Sequence, residues 1–269
     1  MKKLFLLLFS ASLMAASYEA PWLGNPYEFE GELEGALAYY RTINTSNGRL
    51  SYKDYQKLAR ASLECSLTDW QFVLEAFAAR TAKESFNLIS GAFLARYNIL
   101  NDVDGSAPMS LTIGFKGDFP KKQAIQDPGL LYSYYCQGEL QLSAGKEWSE
   151  GPYWQWRVWL LGALGSSTRY SPWLKGKVGI ERNFCDLHRL SCYLLGQEGF
   201  GQSSFPGIDA FVSYGPLAYR LSDISFQYRY TFRYLASLGI EYTMRLAARQ
   251  CPANRQAVSL TLNIPFSII

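Results

Sequence analysis

Beyond its first 17 residues the sequence lacks any long uninterrupted apolar run. A helix that spans a bilayer needs roughly 20 consecutive apolar residues, so the sequence predicts no helical membrane protein. Mean hydropathy is close to neutral, at −0.10.

Histidine and cysteine are scarce. His188 is the single histidine, and the nearest serine after it, Ser191, does not by its spacing identify a catalytic partner. The five cysteines show no C-x-x-C pair. We therefore expect no metal centre, no cofactor and no enzymatic activity, with His188 at a turn or strand end.

An odd number of cysteines leaves at least one thiol outside any intramolecular disulfide. Cys65, Cys136 and Cys192 fall in phase with apolar neighbours, where a small apolar role is expected. Cys185 and Cys251 lie near predicted turns and are the candidates for bridges, although the connectivity stays open.

A strong excess of charge of one sign is also missing. The chain has 26 Lys and Arg against 23 Asp and Glu, a net charge of +3, and its basic residues are dispersed. This balance predicts no nucleic-acid partner. No phosphate-binding loop and no internal domain boundary are visible.

The amino terminus has the pattern of an export signal. Met1 to Lys3 supply a basic end, Leu4 to Met14 an apolar stretch, and Ala15 to Ser17 a small-residue cleavage site. We expect residues 1–17 to be a signal peptide and residues 18–269 to be one domain. Because no cysteine follows the expected cleavage site directly, we expect no lipid anchor there.

Strict alternation of apolar and polar residues is what the chain has in abundance. It is clearest in Ile224–Tyr234, Leu238–Leu246 and Val258–Phe266, where every second residue is apolar. A period of two predicts β-strands with one apolar and one polar face.

The same alternation recurs along nearly the whole chain after residue 26. We count 13 candidate strands, separated by four predicted loops at 41–56, 117–129, 166–171 and 199–207. Besides the three most regular runs, the ten other candidate strands are 27–40, 59–67, 70–78, 86–99, 109–116, 132–143, 154–160, 174–183, 189–197 and 208–219. We expect a bulge at Gly215 and Pro216 in the last of these strands, and a turn at 221–223 after it.

Alternation alone fits two architectures, a soluble sandwich with its apolar faces inside or a membrane barrel with its apolar faces outside. Composition favours the barrel, because aromatic residues make up 16% of the chain, including 19 Tyr and 7 Trp. Tyr and Trp prefer the boundary between hydrocarbon and headgroups. Those near strand ends predict two aromatic girdles: Tyr27, Tyr39, Trp70, Tyr97, Trp154, Trp173 and Tyr234.

From Tyr27 onward the chain resembles a bacterial outer-membrane β-barrel, in particular the small monomeric porin-like channels. The run Val258–Phe266 resembles the terminal strand by which such proteins are recognised for insertion, although the sequence ends at Ile269 and not at an aromatic residue. The resemblance implies an all-β, single, transmembrane, antiparallel up-and-down barrel in the bacterial outer membrane. An even strand number is required, so we expect about 12 strands, with 14 next. The implied partners are outer-membrane lipid, the barrel-insertion machinery and small hydrophilic solutes, and the oligomeric state is open.

With the apolar faces outside, the polar faces line a lumen. Acids dominate the first strand and bases the later ones, and the first strand should pair with the last. Charges of opposite sign across a lumen would orient dipolar solutes and filter ions. We therefore expect a channel for passive diffusion of small hydrophilic solutes. The alternative is a structural or adhesive surface protein with a filled, non-conducting barrel. The predicted lumen-lining residues are Glu28, Glu30, Glu32, Glu34, Arg60, Glu64, Arg96, Lys116, Arg157, Lys175, Lys177, Arg229, Arg233 and Arg245.

Overall fold

The computed structural model describes residues 19–150, 153–168, 171–232 and 236–266, so the predicted signal peptide, Arg233 and Tyr234 lie outside the described residues. Within them the chain forms twelve long strands, one two-residue strand and one short helix. Their bounds are β1 Phe29–Thr45, β2 Gly48–Ser66, β3 Trp70–Arg80, β4 Asn87–Leu100, β5 Ser110–Pro120, α1 Lys122–Ile125, β6 Gln137–Glu150, β7 Tyr153–Ser167, β8 Trp173–Phe184, β9 His188–Gly199, β10 Arg220–Phe232, β11 Ala236–Arg249, β12 Pro252–Ala253 and β13 Gln256–Phe266.

The twelve long strands close into a single antiparallel barrel. Each pairs with its neighbours along the chain, and β1 pairs both with β2 and with β13. The closing register joins Phe29 to Phe266 and Tyr39 to Gln256. In the described residues, every long strand has a partner on both sides along the body of the barrel, as backbone surrounded by lipid requires. The all-β class, the 12 strands and the pairing of first and last strands are therefore confirmed.

The barrel is inverted relative to a soluble protein. On β1, Leu33 and Leu37 are 57% and 64% exposed, whereas Glu32, on the opposite face of the same strand, is 8% exposed. The same direction holds on β13, where Leu260 is exposed and Asn263 is buried. Apolar side chains thus coat the outside and polar ones face the lumen, which is the arrangement of a transmembrane barrel.

One of the 13 predicted strands is wrong. Residues 208–219 form a loop that folds into the barrel, where Phe211, Tyr214 and Leu217 are buried. Their apolar side chains pack in an internal cluster and do not alternate across a sheet. The predicted turn at 221–223 is wrong too, because β10 already begins at Arg220. Removal of this one strand restores the even number.

β7 changes phase at a bulge that the sequence prediction missed. Trp156 pairs with Trp148 and Trp154 pairs with Ser149, so Gln155 is the extra residue. Trp154 therefore points inward and is 3% exposed. Trp159 and Leu161, two apolar residues on the otherwise polar face of β7, also point inward and are buried. Their apolar side chains have apolar partners inside the barrel.

Two members of the predicted aromatic girdles are thus misplaced. Trp154 and Trp173 are buried in the lumen, and the indole N–H of Trp173 donates to Glu139 at 3.4 Å. Tyr27, Trp70 and Tyr97 are exposed.

The predicted loop at 41–56 is wrong. The hairpin of β1 and β2 continues through it to a tight turn at Ser46 and Asn47, with a bulge between Tyr40 and Thr42. The predicted strand at 132–143 begins five residues late, at Gln137, because residues 132–136 belong to a loop.

The two ends of the barrel differ. We call the end that holds Phe29 and Phe266 the terminal end, and the end that holds the turn at Ser46 the loop end. The longest described connections, 121–136 and 200–219, both lie at the loop end. Among the described residues, no helix is long and apolar enough to cross a bilayer.

Candidate functional site in the barrel lumen

A polar cavity of about 320 Å³ lies in the middle of the lumen. Strands from all around the barrel contribute to it, because every second residue of each strand points inward. Its lining combines acids and bases. The acids are Glu19, Glu32, Glu34, Glu75 and Glu241, and the bases are Arg60, Lys116, Lys175, Lys177, Arg189 and Arg229.

On one side of the cavity a single arginine holds three carboxylates. Arg60 on β2 lies 2.6 Å from Glu32, 2.9 Å from Glu34 and 3.0 Å from Glu75. Lys116 on β5 adds a 2.8 Å ion pair to Glu75. The acidic stripe of β1 is thus balanced by bases on neighbouring strands, and this side of the lumen remains a network of charges that faces the cavity.

On the opposite side two lysines of β8 face the cavity. Lys175 pairs with Glu139 at 3.1 Å, and Lys177 lies 4.6 Å from the centre of the Tyr193 ring. Both lysines also contact Glu19, which precedes the first strand. A ring face attracts a cation and fixes its position, so this side presents two oriented ammonium groups.

A second cavity of about 230 Å³ borders the first and shares Arg60, Glu75 and Lys116 with it. Its other lining residues include Asp118 and Tyr132, the latter from the connection 121–136. The Tyr132 hydroxyl lies 2.8 Å from the Ser90 hydroxyl. The polar path therefore extends from the middle of the barrel toward the loop end, where that connection covers it.

Residues 19–24, which we call the inner segment, lie inside the barrel. Ala20 and Trp22 are 2% and 3% exposed. The Pro21 carbonyl accepts a hydrogen bond of 2.5 Å from Thr112, and the Ala20 carbonyl accepts one from Arg96. These contacts join the chain before β1 to the far wall, and they narrow the lumen from the terminal end.

The Trp22 indole lies in a pocket that contacts both its N–H and its ring face. Its N–H donates to Asp102 at 3.0 Å, and the Arg157 guanidinium lies 4.6 Å from its ring centre. Asp102 also accepts from the Ser110 hydroxyl at 2.6 Å and from the backbone N–H of Glu147 at 2.8 Å. Burial opposes ionisation of Asp102, but these donors outweigh it and lower its pKa.

The two long connections close the loop end. Tyr214 donates to the Pro128 carbonyl at 2.6 Å, and the Thr81 hydroxyl donates to Asp127. Lys83 donates to the Ile208 carbonyl at 3.0 Å. Burial raises the pKa of Asp127 and the pKa of Tyr214. A mixed polar and apolar cap therefore fills this end, and the sequence did not predict it.

The predicted lumen-lining residues that the structure describes fall into four places. Glu32, Glu34, Arg60, Lys116, Lys175, Lys177 and Arg229 line the central cavity. Glu28, Glu30 and Glu64 lie together near the terminal end. Arg96 and Arg157 are buried against the inner segment. Arg245 is buried in an ion pair of 2.7 Å with Asp223 near the loop end, and Arg233 lies outside the described residues.

Sequence reasoning missed Glu19, Trp22 and Asp102. The segment that carries Glu19 and Trp22 has no strand periodicity, and Asp102 lies in a turn. Because the anchoring contacts join residues 80 or more positions apart, no local signal could have found them.

The single histidine and the five cysteines lie at positions that bear on the predictions made for them. His188 opens β9, as expected for a strand end, and its Nδ1 lies 2.7 Å from the Tyr228 hydroxyl. Five free cysteine sulfurs are present in the described chain. Cys185 lies at the terminal end and Cys251 at the loop end, and both of these candidates for disulfide bridges are free thiols. No group of His, Cys, Asp or Glu in residues 19–266, outside the gaps noted above, could hold a metal ion.

Comparisons with known proteins support this architecture. No protein-family model and no curated protein matches the sequence. Among solved structures, the chain is similar to the COG4313 outer membrane channel from Pseudomonas putida F1, with a TM-score of 0.67 and 10% identity over 94% of this chain and 100% of that one. It is also similar to the KdgM porin, with a TM-score of 0.54 and 9% identity over 87% of this chain and 99% of that one.

Fold, apolar exterior and charged interior together define a class. The protein is a transmembrane β-barrel of the bacterial outer-membrane type. Within that class, its fold of twelve long strands is similar to the folds of the COG4313 outer membrane channel and the KdgM porin.

Proposed function

We propose that the protein is an outer-membrane channel through which small hydrophilic solutes diffuse passively. One observation carries this proposal. In the described residues, a charged central cavity lies inside a barrel whose exterior is apolar, which favours passage of polar solutes through the lumen. The fold likeness to outer-membrane channels supports the same function.

The size of the cavity limits the solute. Each water occupies about 30 Å³ in the liquid, so about 320 Å³ holds several waters or one small organic molecule. Acids and bases line both sides of the cavity in ion pairs, and a charged lining of this kind favours ions and dipolar solutes over apolar ones. The second cavity extends this route toward the loop end.

Passage requires movement at both ends. The inner segment is bonded to the wall at the terminal end, and the long connections cover the loop end. We therefore propose a channel that opens when both of these closures are displaced. The proposal includes a signal peptide at residues 1–17. It also includes outer-membrane lipid and the barrel-insertion machinery as partners.

A second candidate function is supported by a different observation. Trp22 packs with Trp159, Leu161 and Tyr193 inside the barrel, and apolar groups inside a lumen exclude water. A permanently filled, non-conducting barrel that serves a structural or adhesive role at the surface would have the same packing.

Planar-bilayer recording separates the two candidates. We expect stepwise conductance from the purified full chain, and a higher open fraction from Trp22→Ala because the indole leaves its pocket. Trp148→Ala is the matched control, since Trp148 is 51% exposed on the lipid face and should leave the currents unchanged. If the wild type and Trp22→Ala are both silent at all voltages while both are correctly folded, the filled barrel replaces the channel.

A further inference from the structure

Two lysines and one carboxylate form a clamp in the central cavity. Lys175 and Lys177 lie two positions apart on β8 and therefore project from the same face. The Lys175 ammonium is 3.1 Å from one oxygen of Glu19, and the Lys177 ammonium is 2.5 Å from the other. Each carboxylate oxygen thus has its own cation.

Glu19 differs from the other acids of the cavity. Glu32, Glu34 and Glu75 are fixed on β1 and β3, which are built into the wall. Glu19 belongs to the inner segment, which is not part of any strand and is held to the wall by contacts such as Trp22 to Asp102 and Thr112 to the Pro21 carbonyl. When the inner segment moves, the carboxylate leaves and the lysines remain. The Glu19 side chain therefore occupies the place that the carboxylate of a small free molecule would take.

The clamp selects the ionised form of its occupant. Burial alone would raise the pKa of Glu19, but Lys177 and Lys175 outweigh burial and lower it well below its ordinary value. The remaining contacts hold the lysines in place, because Lys175 keeps its ion pair to Glu139 and Lys177 keeps the Tyr193 ring. Arg189 and Arg229, on adjacent strands, line the same cavity and add positive charge.

We propose that Lys175 and Lys177 form a binding subsite for small carboxylates, which Glu19 fills while the inner segment is in place. This inference rests on the proposed channel function and names the solute class that its central cavity takes. A carboxylate bound by the two lysines has the adjoining cavity of about 320 Å³ for the rest of the molecule.

Glu19 competes as a tethered ligand. A group held on a short flexible linker has an effective concentration in the millimolar range, and further contacts of the inner segment strengthen its hold. A free carboxylate must displace it. Removal of the Glu19 carboxylate should therefore tighten the binding of free carboxylates, whereas removal of either lysine should weaken it.

Equilibrium binding tests this without any need for current. The purified full chain in detergent micelles is titrated with sodium [13C]acetate, at constant ionic strength maintained with sodium chloride, and binding is followed by carbon NMR line width. We expect Glu19→Gln and Glu19→Ala each to lower the apparent Kd for acetate about tenfold. Adding Lys175→Gln or Lys177→Gln to Glu19→Ala should reverse that gain. Lys57→Gln, an exposed lysine far from the lumen, should behave as the wild type.

Glu34→Gln separates the clamp from the general charge of the cavity. It removes a carboxylate from the same cavity while Glu19 still fills the clamp. The proposal is overturned if Glu34→Gln tightens acetate binding as much as Glu19→Gln, or if Glu19→Gln and Glu19→Ala leave the Kd unchanged. A gel shift on heating verifies that each variant is folded. Acetate binding with no conductance would instead contradict the channel function and leave the subsite in place.

Discussion

The indole N–H of Trp22 donates a hydrogen bond of 3.0 Å to the carboxylate of Asp102, 80 residues further along the chain. This bond joins the segment before the first strand to the turn between β4 and β5. Both partners are buried, so no water competes for the bond, and the carboxylate is held by several donors at once.

Asp102→Asn should loosen this attachment. An amide accepts more weakly than a carboxylate and brings its own donors, so a buried network of this kind should lose about 1–3 kcal/mol of unfolding free energy. Urea unfolding in micelles, followed by tryptophan fluorescence, measures the loss. Asp104→Asn is the matched control from the same turn, where the side chain is exposed. Equal stability of wild type and Asp102→Asn would show that the bond contributes nothing.

Gly145→Val should displace the inner segment without altering its sequence. A Cβ at Gly145 would lie 2.8 Å from Pro21, 2.9 Å from Trp22 and 2.9 Å from Trp159, all below normal contact. We expect a higher open fraction in bilayer recordings and faster proteolysis within residues 19–24. Gly162→Val is the control, since a Cβ there meets nothing within 4 Å. If both variants behave as the wild type, the inner segment does not restrict the lumen.

Alternation along the chain predicted the all-β class, because every strand displays a local period of two. The inverted orientation and the closure of β1 on β13 also needed the aromatic composition and the resemblance to outer-membrane barrels, because alternation alone fits a soluble sandwich equally well. The best placed predictions were 174–183 and 189–197, which lie within one or two residues of β8 and β9 at each end.

The errors share a physical cause. Residues 208–219 are apolar enough to resemble a strand, yet they pack inside the lumen with Tyr40 and Cys251. Trp159 is apolar but faces the lumen in the same phase as Arg157, and it packs there with Trp22 and Tyr193. In both places the apolar side chains meet other protein inside the barrel and not lipid. A sequence pattern records that a side chain is apolar but not which apolar medium it contacts.

Glu19 should make the unfolding free energy of the protein depend on pH under acidic conditions. Its folded-state pKa lies below its ordinary value of 4.5 because the lysine contacts outweigh burial. A carboxylate whose pKa is lower in the folded state stabilises the fold at any pH above its unfolded-state pKa. This stabilisation is lost as the pH falls from the unfolded-state pKa toward the folded-state pKa. The difference in unfolding free energy between wild type and Glu19→Gln should therefore stay constant from pH 8 to about pH 6 and shrink below about 4.5. Urea unfolding at each pH measures it, and a difference unchanged down to pH 3 would contradict the ion pairs.

Leu260→Arg tests the lipid-facing side of the barrel. Leu260 is 54% exposed near the middle of β13, and an arginine at the bilayer midplane costs about 2–4 kcal/mol. The control is Leu67→Arg, at the turn after β2 on the terminal end, where the cost should be about 0–1 kcal/mol. Unfolding free energies in lipid vesicles give both values. Equal costs at the two positions would place Leu260 outside the hydrocarbon.

The thiols at the loop end should differ in reactivity. Cys251 lies in the internal apolar cluster with Tyr214 and Leu217, and burial raises its pKa to about 11. Cys136, at the same end, is exposed. Since the thiolate is the reactive form, maleimide at pH 7.5 should label Cys136 rapidly and Cys251 only after unfolding in urea. Peptide mass mapping before and after unfolding gives the two rates. Rapid labelling of Cys251 in the folded protein would mean that the loop 200–219 does not pack inside the barrel.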